Sequence, residues 1–218
     1  MSTEATPATR ELAAAGFDLV WPFDANHIAQ ELGITALADP ARPLGLLVGN
    51  TRALWPVFTA ARQADPALAA HGDPLELYTE QTIDRVAATI GGSRVLYAHR
   101  RHGDAFLPFQ RLAVAAGVGT SSPTHLVIHP VYGPWFALRA VILCNASTPL
   151  RANVSTVCTC TATCLRAFDA AMAATGPELW KAWLAVRDAC PVGREHRYSD
   201  DQIAYHYSFM ARELDAHR

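Results

Sequence analysis

The stretch "IHPVYGPWFALRAVIL", from Ile128 to Leu143, gives the clearest indication of the fold. Its apolar ends belong to two strand candidates, "HLVIH" at 125–129 and "WFALRAVIL" at 135–143. The intervening "PVYGP" is rich in proline and glycine, which is typical of a tight connection between strands. We therefore predict that the two segments pair as a β-hairpin.

The strongest helix signal lies in "DPLELYTEQTIDRVAATI", where Asp73 is suited to the N-cap and Pro74 to the first helical position. Gly91 and Gly92 provide the stop signal. The other predicted elements are strands at 44–49 and 94–99, and helices at 109–116, at 178–188 and from Ser199, where Ser199 and Gln202 have capping-box spacing. This mixture of helices and strands predicts the α+β class.

Length, composition and charge exclude several classes of protein. The 218 residues are half hydrophobic, which predicts a single domain over residues 1–218. The net charge of −2 gives no field that would hold nucleic acid or an anionic membrane surface. The amino end lacks the pattern of a secretory signal, and the most apolar run, at 135–144, is well short of the roughly 20 residues of a membrane span. We therefore expect a cytoplasmic protein whose cysteines are thiols or metal ligands.

Two polar residues of the opening stretch need partners. If the strand alternates, Trp135 and Arg139 share one face and Phe136 lies on the other. An unpaired guanidinium in so apolar a strand would cost several kcal/mol, so Arg139 should meet a protein carboxylate, which we favour, or an anionic or polar ligand. His129 ends its strand facing the turn, where it would either approach a ligand or make a structural hydrogen bond.

Common motifs for phosphate-binding loops, dinucleotide binding, zinc proteases and hydrolase nucleophile elbows do not occur in the sequence. Instead, "IHPVYGPWFALRAVIL" and "RYSDDQIAYH" at 197–206 resemble cobalamin-processing proteins of the cblC type, the cyanocobalamin reductase or alkylcobalamin dealkylase family. "GFDLVWPFDANHIAQEL" at 16–32 is similar to the opening segment of that family. The three stretches follow the family's order and extend from near the start to near the end of the chain.

The resemblance implies a flavin reductase or nitroreductase-like α+β fold, with a central, mainly antiparallel sheet flanked by helices. It implies binding of cobalamin base-off and removal of the upper axial ligand, reductively for cyanide and by glutathione thiolate attack for alkyl groups. The expected ligands are thus cobalamin, with glutathione or reduced flavin as co-substrate. Relatives of this fold often dimerise, so the resemblance is compatible with a homodimer. Two alternatives stay open: a non-enzymatic corrinoid chaperone, and a corrinoid metal-dependent or iron–sulfur-dependent reductase.

The same resemblance assigns roles to individual residues. His129 would lie near the upper face of the corrin and order ligand or solvent, and Arg197 would contact the glutathione carboxylates; these two are the catalytic candidates. The alternative for Arg197 is a surface position just ahead of a helix. The predicted cofactor-binding residues are His129, Tyr132, Gly133, Trp135, Phe136, Arg139 and Tyr205. Trp180 and Trp183 share a helix face and are expected in the core.

A cluster of cysteines occurs in "VSTVCTCTATCLRAF" at 154–168, within the carboxyl-terminal segment 151–218. The run is similar to the C-x-x-C-x-x-C-L-x-A-C-P motif of epoxyqueuosine reductase, but Thr161 and Phe168 occupy the second and fourth ligand positions. The candidate metal ligands are therefore Cys158, Cys160, Cys164 and Cys190. Their spacing matches neither ferredoxins nor zinc ribbons, so we expect thiol chemistry or a single thiolate-bound metal ion rather than a cluster.

Overall fold

A computed structural model describes residues 6–147, 158 and 162–207. They divide into two compact units: unit 1 comprises the described residues of Met1–Val118 and Ala137–Asn153, and unit 2 those of Gly119–Phe136 and Val154–Arg218. The chain therefore passes from unit 1 into unit 2, returns to unit 1, and then enters unit 2 a second time. The single domain expected over residues 1–218 stays a prediction.

The structure contains short strands and mostly short helices. The strands are β1 (Leu19–Asp24), β2 (Leu44–Asn50), β3 (Arg94–Tyr97), β4 (Arg101–His102), β5 (Ala105–Phe106), β6 (Thr120–Ser121), β7 (Val127–Ile128) and β8 (Ala137–Cys144). The helices are α1 (Pro7–Ala14), α2 (Ala25–Leu32), α3 (Leu54–Ala64), α4 (Pro66–Ala70), α5 (Pro74–Thr89), α6 (Phe109–Ala115), α7 (Ala162–Ala173), α8 (Leu179–Asp188) and α9, described over 200–207. Two 3-10 turns span Thr35–Leu37 and Arg194–His196. None of the helices in the described part of the chain has the length and apolarity needed to cross a bilayer.

The core of unit 1 is a four-stranded sheet in the order β1-β2-β8-β3, and all of its pairings are antiparallel. Helices α2 and α5 pack on it. The central strand β8 has neighbours on both sides, and its residues from Ala140 to Cys144 are all buried. A strand covered on both faces has no polar side to alternate with, which explains the unbroken apolar run. The predicted α+β class and antiparallel sheet are confirmed.

The predicted hairpin is wrong. β7 pairs with β6 in a separate two-stranded sheet, whereas β8 pairs with β2 and β3. Prolines at both ends of "PVYGP" offer no backbone N–H to extend a ladder, so the connection closes on itself instead of joining two paired strands. The expected alternation from Trp135 onward is wrong as well. β8 begins at Ala137, and it has a β-bulge at Arg139, which is the extra residue opposite β2.

The helix predictions that depended on local signals are confirmed. The Asp73 carboxylate accepts a hydrogen bond from the Glu76 N–H (3.1 Å), and the positive φ angles of Gly91 and Gly92 follow the end of α5. Helices α6 and α8 lie where the sequence places them. The Ser199 hydroxyl caps α9 by accepting from the Gln202 N–H (3.2 Å), but the box is only half formed. The Gln202 amide is buried, and neither of its polar atoms has a hydrogen-bond partner among the described residues.

Replacing the N-cap of α5 tests how much this helix depends on its first turn. We expect Asp73→Ala to lower the free energy of unfolding by about 1 kcal/mol, because the Glu76 N–H loses its acceptor. Asp73→Asn keeps an acceptor oxygen and should cost much less. Urea denaturation followed by circular dichroism measures both; equal losses in the two variants would contradict the capping role.

Candidate ligand-binding site

His129 lies in a tight turn of unit 2 that leads toward β8. The turn is closed by two backbone hydrogen bonds, from the His129 N–H to the Gly133 carbonyl and from the Gly133 N–H to the His129 carbonyl, both 2.9 Å. Inside it, Nδ1 of His129 accepts hydrogen bonds from the N–H groups of Val131 (3.1 Å) and Tyr132 (3.2 Å). The side chain is only 7% exposed. The backbone of the turn thus fixes the orientation of the imidazole ring.

The protonation state of His129 follows from this environment. Burial, and secondarily the nearby His196, lower the pKa of His129 to about 4, so the ring is neutral near pH 7. Because Nδ1 accepts two N–H groups, the remaining proton sits on Nε2. The ring stacks on Tyr132 (4.6 Å between centroids), which in turn meets His196 edge to face (4.9 Å). His129 is therefore built to donate a hydrogen bond from Nε2 and not to carry charge.

Two glycines hold this turn against the segment that precedes the 3-10 turn at Arg194. A Cβ on Gly133 would lie 1.9 Å from the Val192 carbonyl oxygen, and one on Gly193 would lie 2.3 Å from the Tyr132 carbonyl carbon. Both glycines also have positive φ angles, of 55° and 70°. Backbone meets backbone with no room for a side chain. Gly133, predicted as a cofactor-binding residue, thus has a packing role that is independent of any ligand.

An aromatic cluster lies beyond the turn in the same unit. Trp135, Tyr198, Ile203 and Tyr207 are buried together, and Trp180 packs against them, as expected for a core residue. The rings of Trp135 and Tyr198 meet edge to face at 5.7 Å.

Next to this cluster is a cavity of about 340 Å³. It is lined by Thr124, Leu126, Trp183, Val186, Arg187, Tyr198, Ile203, His206 and Tyr207. Trp183, which the sequence places in the core, lines this cavity, as does Tyr207. A ligand-binding role for Tyr205 stays a prediction. Aromatic and aliphatic walls with a few polar groups are the usual composition of a small-molecule site.

Two arginines lie against Trp135, and their surroundings differ. Arg197 is 5.6 Å from the ring, and its guanidinium forms ion pairs with Asp188 (2.8 Å) and Asp200 (2.9 Å). Arg187 lies over Trp135 at 5.4 Å and over Tyr198 at 5.6 Å. Its hydrogen bond to the Phe136 carbonyl is long, at 3.4 Å, and no carboxylate of the described residues is within ion-pairing distance of it. The charge of Arg197 is therefore balanced by two carboxylates, whereas Arg187 lines the cavity without a carboxylate partner among the described residues.

Arg139 belongs to unit 1, where its Nε donates a 2.8 Å hydrogen bond to Oδ1 of Asn50. The side chain is half-buried, and Asn50 is fully buried. The ion pair that the sequence favoured for Arg139 stays a prediction.

Three of the four candidate metal ligands lie in the described part of the chain. Cys164 and Cys190 are buried and Cys158 is half-buried, while Cys160 lies outside the described residues. Among the described residues, no group of three histidine, cysteine, aspartate or glutamate side chains is arranged to hold a metal ion. A site that requires Cys160 therefore stays a prediction.

A second cavity, of about 580 Å³, lies in unit 1 beside the basic loop at 99–104. Its polar groups are occupied by one another: Arg100 is paired with Glu80, and the Tyr97 hydroxyl donates to Asp84 (2.6 Å). Nε2 of His102 bonds the Tyr97 carbonyl (2.9 Å). Since these groups already have partners in the protein, the unit 2 cavity is the better candidate for a ligand.

The structure places most of the predicted site residues in one unit. His129, Tyr132, Gly133, Trp135, Phe136, Arg197 and Tyr205 all lie in unit 2, and Arg139 lies in unit 1. The important omission is Arg187, whose position between two aromatic rings has no local sequence signature. Gly193 was also missed, although a glycine a few residues after a predicted helix is a common turn signal.

No protein-family model matches the sequence, and no curated protein matches it significantly. A crystal structure of the C. elegans B12-trafficking protein CblC, a homologue of human MMACHC, matches with a TM-score of 0.64 at 17% sequence identity. The match covers 89% of this chain and 86% of that one. The chain has a CblC-like fold.

A structure of epoxyqueuosine reductase from Bacillus subtilis matches with a TM-score of 0.50 at 12% identity. That match covers 88% of this chain but only 65% of the reductase chain. The likeness to CblC, with the more distant likeness to epoxyqueuosine reductase, confirms the resemblance seen in the sequence at the level of the fold. The nitroreductase-like α+β architecture that it implied is confirmed with it.

The low pKa of His129 predicts a pH dependence of stability within this CblC-like fold. Between pH 6.5 and about 4 the unfolded chain takes up a proton on this histidine while the folded chain resists it, so the free energy of unfolding should fall as the pH falls through that range. The loss attributable to His129 is at most roughly 3 kcal/mol. Urea denaturation at pH 7 and pH 4.5 measures it.

The matched controls are His129→Asn, which should remove most of this pH dependence, and His125→Asn, at an exposed histidine of the same unit, which should not. A His129→Asn variant with the full wild-type pH dependence would contradict the assignment.

The glycine contact predicts a second difference in stability. Gly133→Ala should lower the free energy of unfolding by about 3 kcal/mol, because a strained φ angle is combined with a clash at the Val192 carbonyl. Gly176 also has a positive φ angle, but a Cβ there meets nothing within 4 Å, so Gly176→Ala should show the strain alone. Chemical denaturation compares them, and equal losses would mean that the backbone contact contributes little.

Proposed function

We propose that the protein binds cobalamin base-off and removes its upper axial ligand, by reductive decyanation, by thiol-dependent dealkylation, or by both. The observation that carries the thiol-dependent part of the proposal is the unit 2 cavity, where aromatic walls surround Arg187, a cation that the described part of the chain leaves without a carboxylate partner. The CblC-like fold supports the choice of cobalamin, since the C. elegans protein is named for B12 trafficking.

The chemistry of the cavity suits an amphiphilic anion. Half-buried arginines need a counter-charge or strong acceptors, because an isolated guanidinium loses hydration without compensation. Arg187 has the Phe136 carbonyl and two aromatic faces, which position the guanidinium without neutralising it. A guanidinium fork binds carboxylates bidentately. We therefore assign to Arg187, rather than to Arg197, the carboxylates of a glutathione-like thiol.

Arg197 then has a supporting role. Its ion pairs with Asp188 and Asp200 connect the end of α8 to the start of α9, and its guanidinium covers one side of Trp135. A second carboxylate ligand would have to displace one of these aspartates. Trp135, which is 1% exposed, is thereby held in place beside the cavity.

His129 contributes a fixed hydrogen-bond donor. Its ring is neutral, and the two N–H groups on Nδ1 leave the proton on Nε2. In this proposal that N–H orders the departing ligand or a solvent molecule. Cobalamin supplies the cobalt–ligand bond that is broken, and displacement of its lower base makes the cobalt easier to reduce or to attack. The protein supplies orientation and excludes water with its aromatic walls.

Visible spectra of the purified protein test the function. Methylcobalamin and cyanocobalamin should each show a base-off shift on binding, followed by conversion when glutathione or reduced flavin is added. A shift without conversion would support the non-enzymatic chaperone, and the absence of any shift would contradict cobalamin binding altogether.

The two arginines provide the sharper prediction. Arg187→Gln should raise the KM for glutathione in methylcobalamin dealkylation by about ten- to a hundredfold, since a hydrogen-bonded charge pair contributes about 1.5–3 kcal/mol. Decyanation by reduced flavin should be unchanged in this variant. Steady-state assays monitored at the cobalamin bands measure both reactions.

Arg197→Gln is the matched control. It removes a guanidinium over the same ring of Trp135 but should lower mainly the stability, because two aspartates lose their partner. A large effect on the glutathione KM in Arg197→Gln, with none in Arg187→Gln, would reverse the assignment.

A further inference from the structure

Tyr207 places a phenol beside Arg187 at the unit 2 cavity. The two residues are on different helices, Arg187 on α8 and Tyr207 on α9, and both line the cavity. The cavity, of about 340 Å³, is at the small end of the range of small-molecule sites, which is roughly 300–1,000 Å³. Its size suits a small thiol and not a whole cobalamin. The groups that recognise the thiol should therefore line this cavity.

The ring of Tyr207 is fixed by its packing. It stacks on Trp180, with 5.4 Å between the centroids and 29° between the planes, and it belongs to the buried cluster that contains Trp135 and Ile203. The residue is buried. Because the phenol oxygen lies in the plane of the ring, a fixed ring also fixes the position of the hydroxyl.

The hydroxyl of Tyr207 lies near the Arg187 guanidinium and is neutral. Burial raises the pKa of the phenol, and the positive charge of Arg187 opposes that rise without cancelling it. The phenol therefore keeps its proton near pH 7. A neutral phenol can donate this proton in a hydrogen bond, whereas a phenolate could only accept one.

This hydroxyl has no packing reason to be present. Phenylalanine would fill the same place in the cluster, and burying a hydroxyl is unfavourable unless it forms a hydrogen bond. The neighbouring guanidinium offers only donors, so it cannot accept the phenol proton. The carboxylate of Asp188, at the end of α8, is already bound by Arg197 (2.8 Å). An anion beside Arg187 is thus the acceptor that the Tyr207 hydroxyl needs.

We propose that Tyr207 is a second binding residue for the carboxylate of the thiol, with its O–H donating a hydrogen bond to the carboxylate whose charge Arg187 balances. The inference rests on the proposed function, in which Arg187 binds that carboxylate. A carboxylate accepts at two oxygens, so a guanidinium from α8 and a phenol from α9 can hold it together. This arrangement selects small thiols that carry a carboxylate.

Two thiols that differ in one group test the proposal. N-acetylcysteine carries one carboxylate, and N-acetylcysteamine is the same thiol without it. In methylcobalamin dealkylation, Tyr207→Phe should raise the KM for N-acetylcysteine by about tenfold, because a hydrogen bond to a charged group is lost. The KM for N-acetylcysteamine should not change. Steady-state assays at the cobalamin bands measure both, and an equal change for the two thiols, or no change for either, would overturn the proposal.

The stability of the protein without ligand distinguishes a binding hydroxyl from a structural one. Tyr207→Phe keeps the ring that stacks on Trp180, so the free energy of unfolding should change little. A lower free energy of unfolding with unchanged KM values would show a structural hydroxyl and refute the proposal. Tyr78→Phe is the matched control: it removes a hydroxyl of unit 1 that donates to the Ala15 carbonyl (3.0 Å), so it should lower stability and change neither KM.

A shared carboxylate also predicts that the two residues act together. In an Arg187→Gln background, Tyr207→Phe should raise the KM for N-acetylcysteine by clearly less than it does in the wild type, because the carboxylate has already lost its cation. Fully additive effects would place the two side chains on different groups of the thiol, and the proposal would then be wrong.

The proposed function and the role of Tyr207 fail in different ways. Titration calorimetry measures the binding of N-acetylcysteine with no cobalamin present. If the wild-type protein shifts no cobalamin spectrum but binds N-acetylcysteine more tightly than Tyr207→Phe does, the proposed function is wrong and the role of Tyr207 stands. If the wild type converts methylcobalamin and Tyr207→Phe has an unchanged KM for N-acetylcysteine, only the role of Tyr207 is wrong.

Discussion

The sheet of unit 1 depends on the way its central strand accommodates a charged residue. β8 provides the only partner of β3 in this sheet and the second partner of β2, so without it the described strands would leave β1 and β2 as an isolated pair. An isolated two-stranded pair is marginal in water. If the Arg139 side chain pointed into the apolar surroundings of Ala140 to Cys144, its guanidinium would be buried there without polar contacts, and the strand could not form. The bulge removes the conflict by placing the guanidinium against the Asn50 amide, and Ala140 to Cys144 can then be buried on both faces.

Unit 2 has its own constraint, which is a contact between two stretches of backbone. Gly133 and Gly193 allow the His129 turn to lie directly on the segment that enters the 3-10 turn at Arg194. The contact brings Tyr132 under His196 and fixes the chain that continues to Arg197. The orientation of His129 and the pairing of Arg197 with its two aspartates therefore belong to one framework. A side chain at either glycine would separate its two parts.

How much of this could be read from the sequence depends on how local each signal is. Helix α5 has its cap, its first-turn proline and its glycine stop within the segment itself, and it was predicted. Helix α3 begins at Leu54 with no capping side chain and was missed. The hairpin failed because strand pairing is decided by partners far along the chain: β8 pairs with β2, roughly ninety positions earlier. The β-bulge at Arg139 is formed against the same distant strand, where Val48 is opposite Ala140 and Gly49 is opposite Leu138, so a two-residue alternation could not reveal it.

In the candidate site, local sequence signals are least informative for Arg187 and Arg197. Arg187 and Asp188 are neighbours in the sequence, which suggests a local ion pair, but adjacent residues on a helix do not face each other. Asp188 instead pairs with Arg197. Arg187 instead makes cation–π contacts with the rings of Trp135 and Tyr198, which position its guanidinium. A cation is thus oriented by rings that leave it charged. That is the arrangement expected where the counter-charge arrives with a ligand, and it separates Arg187 from Arg197, which the protein has already neutralised.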